Sequence, residues 1–324
     1  MQPEAQAPAM PARQDNPAAG TPWRRKLRTA VKLGEKARKA LLTAVLLGLV
    51  AAFVFPIVLT FTNSLMTESE ISVNFAAISK DKPDASDPRI SGSYVNLKWI
   101  PDRVTIGQYY DVLVKKQQFL LMFWNSVRMV VPIIAGQLVI ASLAGYAFSQ
   151  LRFRLREPLF FVYIVTMLMP FQVTLVPNFI VADKLGLLNS YLAIVLPGIF
   201  GAFGVFLMRQ FMLVVPYSYI EAARADGAGH LRIFARVVLP MCKPGLAALA
   251  ILAFVDNWNM VEQPLIFLHD AIKQPLSVYL SVVGEGERGI AFAACAIYMA
   301  PMLLMMLYAE QYLIEGIQLS GIKG

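Results

Sequence analysis

Charge, cysteine and histidine are what this chain has least of. Only 15% of its 324 residues are charged, where an ordinary soluble domain carries about a quarter. That is too little to clothe a water-facing surface of this size. Its two cysteines, Cys242 and Cys295, and two histidines, His230 and His269, stand far apart. They form no zinc, redox-dithiol or disulfide spacing, so they read as packing or structural residues and no metal site is expected. No G-x-x-x-x-G-K-[ST] run occurs, so the chain has no loop of its own for cradling ATP phosphates. Nor is there a repeat of solenoid period. The excess of 29 Lys and Arg over 21 Asp and Glu comes without any nucleic-acid-binding motif.

What the sequence does have is apolar length. Hydrophobic residues make up 57% of the chain, and a membrane-spanning helix needs roughly 20 of them in succession. Six such runs stand out, at 41–64, 120–148, 159–182, 191–213, 244–268 and 290–314. An all-α, polytopic helical membrane protein with about six spans is expected. A signal peptide would compete for the first run, but no small-residue cleavage site follows it. Residues 1–40 read as a tail, Pro- and Ala-rich at first and then strongly basic from Arg24 to Lys39.

Basic residues flanking the spans set orientation. Residues 24–39, the loop with Arg152, Arg154 and Arg156, and the loop with Arg209, Arg224, Arg232 and Arg236 should share the cytoplasmic side. Both termini are then cytoplasmic. The loop over 65–118 balances seven basic against seven acidic residues and reads as a small outer cap, being too long for a bare connection.

One hydrophilic stretch interrupts this pattern: "YSYIEAARADGAGHLRIFARVVLP", residues 217–240. Pro216 ends the preceding run, and Ser218 followed by Glu221 has capping-box spacing, so a helix should start near Tyr219. Gly227 and Gly229 should break it, and a second short helix should run over about 231–238. An amphipathic helix lying on the membrane is the plain alternative. It does not require an acid, small residues and a turn glycine in this order.

The stretch resembles the EAA-x3-G-x9-I-x-L-P signature of permease subunits of binding-protein-dependent ABC importers. Here it reads Glu221-Ala222-Ala223, then Gly227, then Val237-Val238-Leu239-Pro240, with valine for isoleucine. "NSVRMVVPIIAGQLVIASLAGYAFSQLRF", "FGVFLMRQFM" and "WNMVEQPLIF" are similar to carbohydrate-importer permeases, and "EGIQLSGIKG" to the tail of the maltose-type subunit. The likeness covers about residues 41–324 and implies the type I importer permease fold in a bacterial or archaeal cell membrane.

It also implies partners: a second, related permease, a dimer of ATPases that binds ATP and Mg, and an extracytoplasmic solute-binding protein. Glu221, Ala222, Ala223, Asp226, Gly227, Ala228, Leu239 and Pro240 would dock on the ATPase. The tail over about 315–324, with Ser320, Gly321, Lys323 and Gly324, would contact the ATPases as an extended segment. No cofactor is implied for this chain itself, and it would not be an enzyme.

Polar groups at membrane depth usually face a bundle interior or an aqueous path. Gln172 and Asn178 lie between and beside Pro170 and Pro177, which should kink the third span. Asp256, Asn257, Trp258 and Asn259 lie in the fifth. Amides, a carboxylate and an aromatic face suit a carbohydrate, whereas hydrogen bonding between helices is the bland reading. A permease for glycerol phosphate, or an ion-coupled carrier, are the functional alternatives.

Overall fold

In the computed structural model, residues 22–75, 95–282 and 288–321 are described. They are helical almost throughout, and no strand occurs among them. Two compact units result, one ending at Val58 and the other beginning at Leu59. The first holds most of α1 (Pro22–Ser64). The stretch Glu35–Ser64 is apolar enough to cross a membrane, and side chains such as Leu41, Leu47 and Phe53 are exposed along it. An apolar exterior is what lipid requires.

The second unit is organised around α4 (Gln117–Gln150). At 1.5 Å per residue its 34 residues rise about 51 Å, well beyond the roughly 30 Å hydrocarbon core. It packs on α8 (Ala202–Leu213), α7 (Leu192–Ile199) and α12 (Lys243–Trp258). A small residue sets the first of these crossings. A Cβ at Gly145 would lie 2.8 Å from Met208 Cβ and 3.0 Å from the Arg209 backbone nitrogen. Gly145→Leu is therefore expected to destabilise the unit by about 1–3 kcal/mol through overpacking, seen as a lower unfolding temperature in detergent. An unchanged midpoint would mean that the helices separate freely.

Spans are broken where the sequence withdraws backbone hydrogen bonds. α5 (Arg156–Met167) and α6 (Phe171–Lys184) meet at 101°. The expected kink at Pro170 is thus a full break, because proline lacks an N–H and forces Met169 out of helical geometry. Pro177, by contrast, stays inside α6. In the last turn of α7, Gln137 Nε2 donates to the Gly198 carbonyl at 3.1 Å, and in the last turn of α8 Gln150 Nε2 caps the Met212 carbonyl at 2.6 Å. In lipid such carbonyls find no water, so side chains of α4 take its place.

The fifth span is shorter than its apolar run suggests. α12 stops at Trp258, the chain turns at 259–261, and a separate short helix, α13 (Glu262–Phe267), follows. The reason lies in the polar run. Asn257 Nδ2 and Asn259 Nδ2 bond back to the carbonyls of Ala253 and Val255 at 2.7 and 2.8 Å, competing for the helix end as amides do. The segment beyond is pinned to α4. Asn125 Nδ2 donates to the carbonyls of Ile272 (2.7 Å) and Gln274 (3.1 Å), and Ser126 Oγ accepts from the N–H of Leu276, the first residue of α14 (Leu276–Val282), at 2.9 Å. Tyr191 OH completes Asn125 by donating to its Oδ1 at 2.7 Å. Nearby, Asp270 accepts from the Asn189 amide at 2.8 Å and pairs with Lys273 at 2.9 Å. These contacts hold its carboxyl below the ordinary range.

Of the loop expected to form a cap, α2 (Glu68–Asn74) and α3 (Gly107–Tyr110), with the π-helical turn Asp111–Lys115, are described. They pack, Val112 sharing a core with Phe119, Met122, Leu276, Ala293 and Ala294. The last helix, α15 (Arg288–Gly321), departs from expectation. The backbone is helical through Ser320 and Gly321, where an extended tail was anticipated. Lys323 and Gly324 lie outside the described residues.

Candidate functional site

Two features carry functional side chains. The first is the charged stretch. α9 (Tyr217–Ala225) starts two residues earlier than the capping pattern suggests: Pro216 occupies the N-cap, and Ser218 makes no cap bond. Glu221 is therefore not spent on a cap, and it is exposed with no ion pair among the described residues. The far end of α9 is built as the glycine implied. Gly227 has φ +77°, its N–H bonds to the Arg224 carbonyl and Ala228 N–H to the Ala223 carbonyl, both at 2.9 Å. This is a Schellman closure, in which the left-handed residue turns the chain back while satisfying the last carbonyls.

The chain re-enters helix as α10 (His230–Ile233). It continues through a π-helical turn (Phe234–Val238) into α11 (Leu239–Met241) before bending by 77° into α12. The second helix is thus longer than expected and passes through Pro240. Ile220, Ile233 and Val238 anchor this hairpin in the core cluster that holds Tyr146, Phe148, Met208 and Met212. That leaves Tyr219, Glu221, Ala222, Asp226, Gly227 and Leu231 on its exposed face. Ala223 and Ala228 are half-buried against the cluster, as is Leu239, while Pro240 is exposed. A rigidly anchored knob with small, acidic and apolar groups outward is suited to fit a cleft on another protein.

The second feature is a cavity of about 530 Å³ where α12 ends. Phe171, Asp256, Asn257, Asn259, Met260, Val261, Glu262 and Gln263 line it, and the volume suits a small ligand. Three of the six anticipated pathway residues, Asp256, Asn257 and Asn259, meet here. Gln172 stands at its edge, its Nε2 3.5 Å from Glu262 Oε2. Asn178 is half-buried on α6 and does not line this cavity. Phe171, Glu262 and Gln263 were not among the pathway residues named from sequence. The last two were legible as the continuation of the same polar run.

Trp258 is placed differently from the expectation that it offers a stacking face. It is 2% exposed and stacks on Phe254 and Tyr298 at centroid distances of 5.1 and 5.6 Å, with Phe123 edge-on at 5.7 Å. Its Nε1 donates to the Tyr298 carbonyl at 3.2 Å. Tyr298 OH lies 2.9 Å from the Trp258 carbonyl and 2.8 Å from Asn259 Oδ1. Neighbouring rings occupy the surface that a sugar would need, and the indole instead buttresses the cavity wall. Among the described residues, no group of three His, Cys, Asp or Glu side chains is arranged to hold a metal ion. Cys242 is buried and Cys295 partly so, both as free thiols.

Up to six spans when each bent pair counts as one, a polar cavity where α12 ends and an anchored helical hairpin leading into α12 suit a membrane transport subunit. Residues 137–315 match the family of binding-protein-dependent transport system inner membrane components, and the chain belongs to that family. Among its relatives is the arabinooligosaccharides transport system permease protein of Halalkalibacterium halodurans, 29% identical over 71% of this chain and 84% of that one. Another is the lactose transport system permease protein of Rhizobium radiobacter, 32% identical over 60% and 73%. The sn-glycerol-3-phosphate transport system permease protein of Pectobacterium atrosepticum is 33% identical over 61% and 73%. A solved bacterial ABC transporter involved in the import of the acidic polysaccharide alginate shares the fold. Its chain superposes with a TM-score of 0.70 at 24% identity, covering 86% of this chain and 97% of that one. The fold is that of a type I importer permease.

Proposed function

We propose that this chain is one permease subunit of an ATP-driven carbohydrate importer, with an oligosaccharide as solute. The observation that carries the reading is the cavity of acid and amide side chains where α12 ends, in a chain whose relatives are named for arabinooligosaccharides and lactose. Hydroxyl groups both donate and accept, so carboxylates and amides match them without leaving partners unpaired. The glycerol-3-phosphate relative keeps a phosphorylated polyol as the second reading.

A second permease would supply the other half of the pathway, and a solute-binding protein would deliver the solute. A dimer of ATPases, which binds ATP and Mg, would receive the hairpin with Glu221, Ala222, Ala223, Asp226, Gly227, Ala228, Leu239 and Pro240. The last residues, with Ser320, Gly321, Lys323 and Gly324, would reach the same ATPases. Closure of the ATPases would draw the hairpins together and turn the cavity outward, and hydrolysis would return it inward.

Gentle purification from the native membrane, with identification of the co-purifying chains and of any solute bound to an exported one, tests the assembly. Transport by this chain alone under an ion gradient would replace the reading with a secondary carrier. Orientation is tested by single cysteines. At Gly20, Arg154 and Gly324 they should resist an impermeant thiol reagent in intact cells, and at Ser86, Gly186 and Gly284 they should react. Labelling of position 154 from outside would reverse the topology.

A further inference from the structure

The cavity's charge distinguishes among solutes that the fold leaves together. Asp256 and Glu262 both line it and are exposed to it, and no Lys, Arg or His is among its lining residues. Neither carboxyl group has an ion pair among the described residues. The Glu262 contact is with the Gln172 amide at a long 3.5 Å, and the amides of Asn257 and Asn259 are turned back onto their own helix. The remaining wall is Phe171, Met260, Val261 and Gln263, of low polarity apart from one amide. A cleft lined by charges of one sign concentrates counter-ions and lowers the local concentration of co-ions.

We infer that this chain's share of the pathway selects against anionic solutes, so that the solute is a neutral or cationic carbohydrate rather than a uronate, sulfated or phosphorylated one. The inference rests on the reading of this cavity as the solute route. This chain shares its fold with a transporter involved in the import of an acidic polysaccharide, so the fold alone does not decide the charge. The sign of the lining does, and here Asp256 and Glu262 are the specificity-determining residues.

The test measures the cavity's field without assuming a solute. In the complete transporter carrying Cys242→Ala and Cys295→Ser, Asn259→Cys is reacted with cationic and with anionic methanethiosulfonates, and each rate is divided by that for a free thiol in solution. The normalised cationic rate should exceed the anionic one by at least tenfold, and the ratio should fall towards one when Asp256→Asn and Glu262→Gln are added. Equal rates in the unneutralised protein would overturn the charge inference while leaving the cavity as a water-filled route. No reaction with either reagent, with or without nucleotide, would remove the route itself and the inference with it. Uptake of an oligouronide by the unmodified complex would also overturn the proposal.

Discussion

Replacing Gly227 by proline is expected to reduce ATP-driven uptake to background while the protein stays in the membrane at its usual level. The residue closes α9 at φ +77°, and its N–H bonds to the Arg224 carbonyl. Proline fixes φ near −65° and has no N–H, so it removes the bond and the turn together. The hairpin then leaves at a different angle, and the exposed face with Glu221, Ala222 and Asp226 would no longer present one surface to the proposed ATPase partner. A Cβ at Gly227 has no neighbour within 4 Å, so crowding is not the cause and geometry alone is tested. Gly227→Asn is the matched control, since asparagine enters the left-handed region at small penalty, and it should retain most uptake. Glu221→Lys should abolish uptake as proline does, because it reverses a charge on the proposed docking face without touching the turn. Normal uptake by both Gly227→Pro and Glu221→Lys would deny the hairpin a coupling role.

Much of this architecture was legible because membranes leave few options. With no water to take up backbone groups, only helices or closed barrels cross lipid, so apolar runs near 20 residues locate spans directly. The hairpin was legible for a different reason: Gly227 is a local backbone signal and reports its own φ. Where local rules competed with one another, the sequence misled. Ser218 and Glu221 have capping-box spacing, yet Pro216 starts the helix first. The apolar run from 244 continues to 268, yet the asparagines at 257 and 259 turn their amides onto the helix and end it at Trp258. The tail's glycines suggested an extended segment, but a helix already under way from Arg288 continues through Gly321. The cavity was half legible. Residue type places Asp256, Asn257 and Asn259 near a polar space. Which side chains of one helical turn face that space and which face the core is decided by packing partners distant in sequence, Phe123 and Tyr298.

Trp258 shows what that distinction does to an experiment. Were its ring a sugar platform, Trp258→Ala would leave the transporter assembled and lower uptake per complex several-fold. Its burial reverses the order. Removing a large aromatic from a packed core typically destabilises by about 3–5 kcal/mol, and here it also strips the contacts of Phe123, Phe254 and Tyr298 and leaves the Tyr298 carbonyl without its indole donor. The expected result is a steep loss of assembled protein, with uptake per surviving complex changed far less. Trp258→Phe, which keeps most of the stacking volume, should recover most of the yield. Asn259→Ala should behave in the opposite way. It is exposed to the cavity, and although its amide also bonds the Val255 carbonyl and Tyr298 OH, its loss should lower yield far less than Trp258→Ala does while lowering uptake per complex about 2- to 13-fold, the equivalent of one hydrogen bond of about 0.5–1.5 kcal/mol. Yield and uptake measured on the same preparations separate the two roles. Normal assembly of Trp258→Ala with impaired transport would return the indole to the solute path. The stack of Phe254 and Tyr298 around it would then have to open during the cycle.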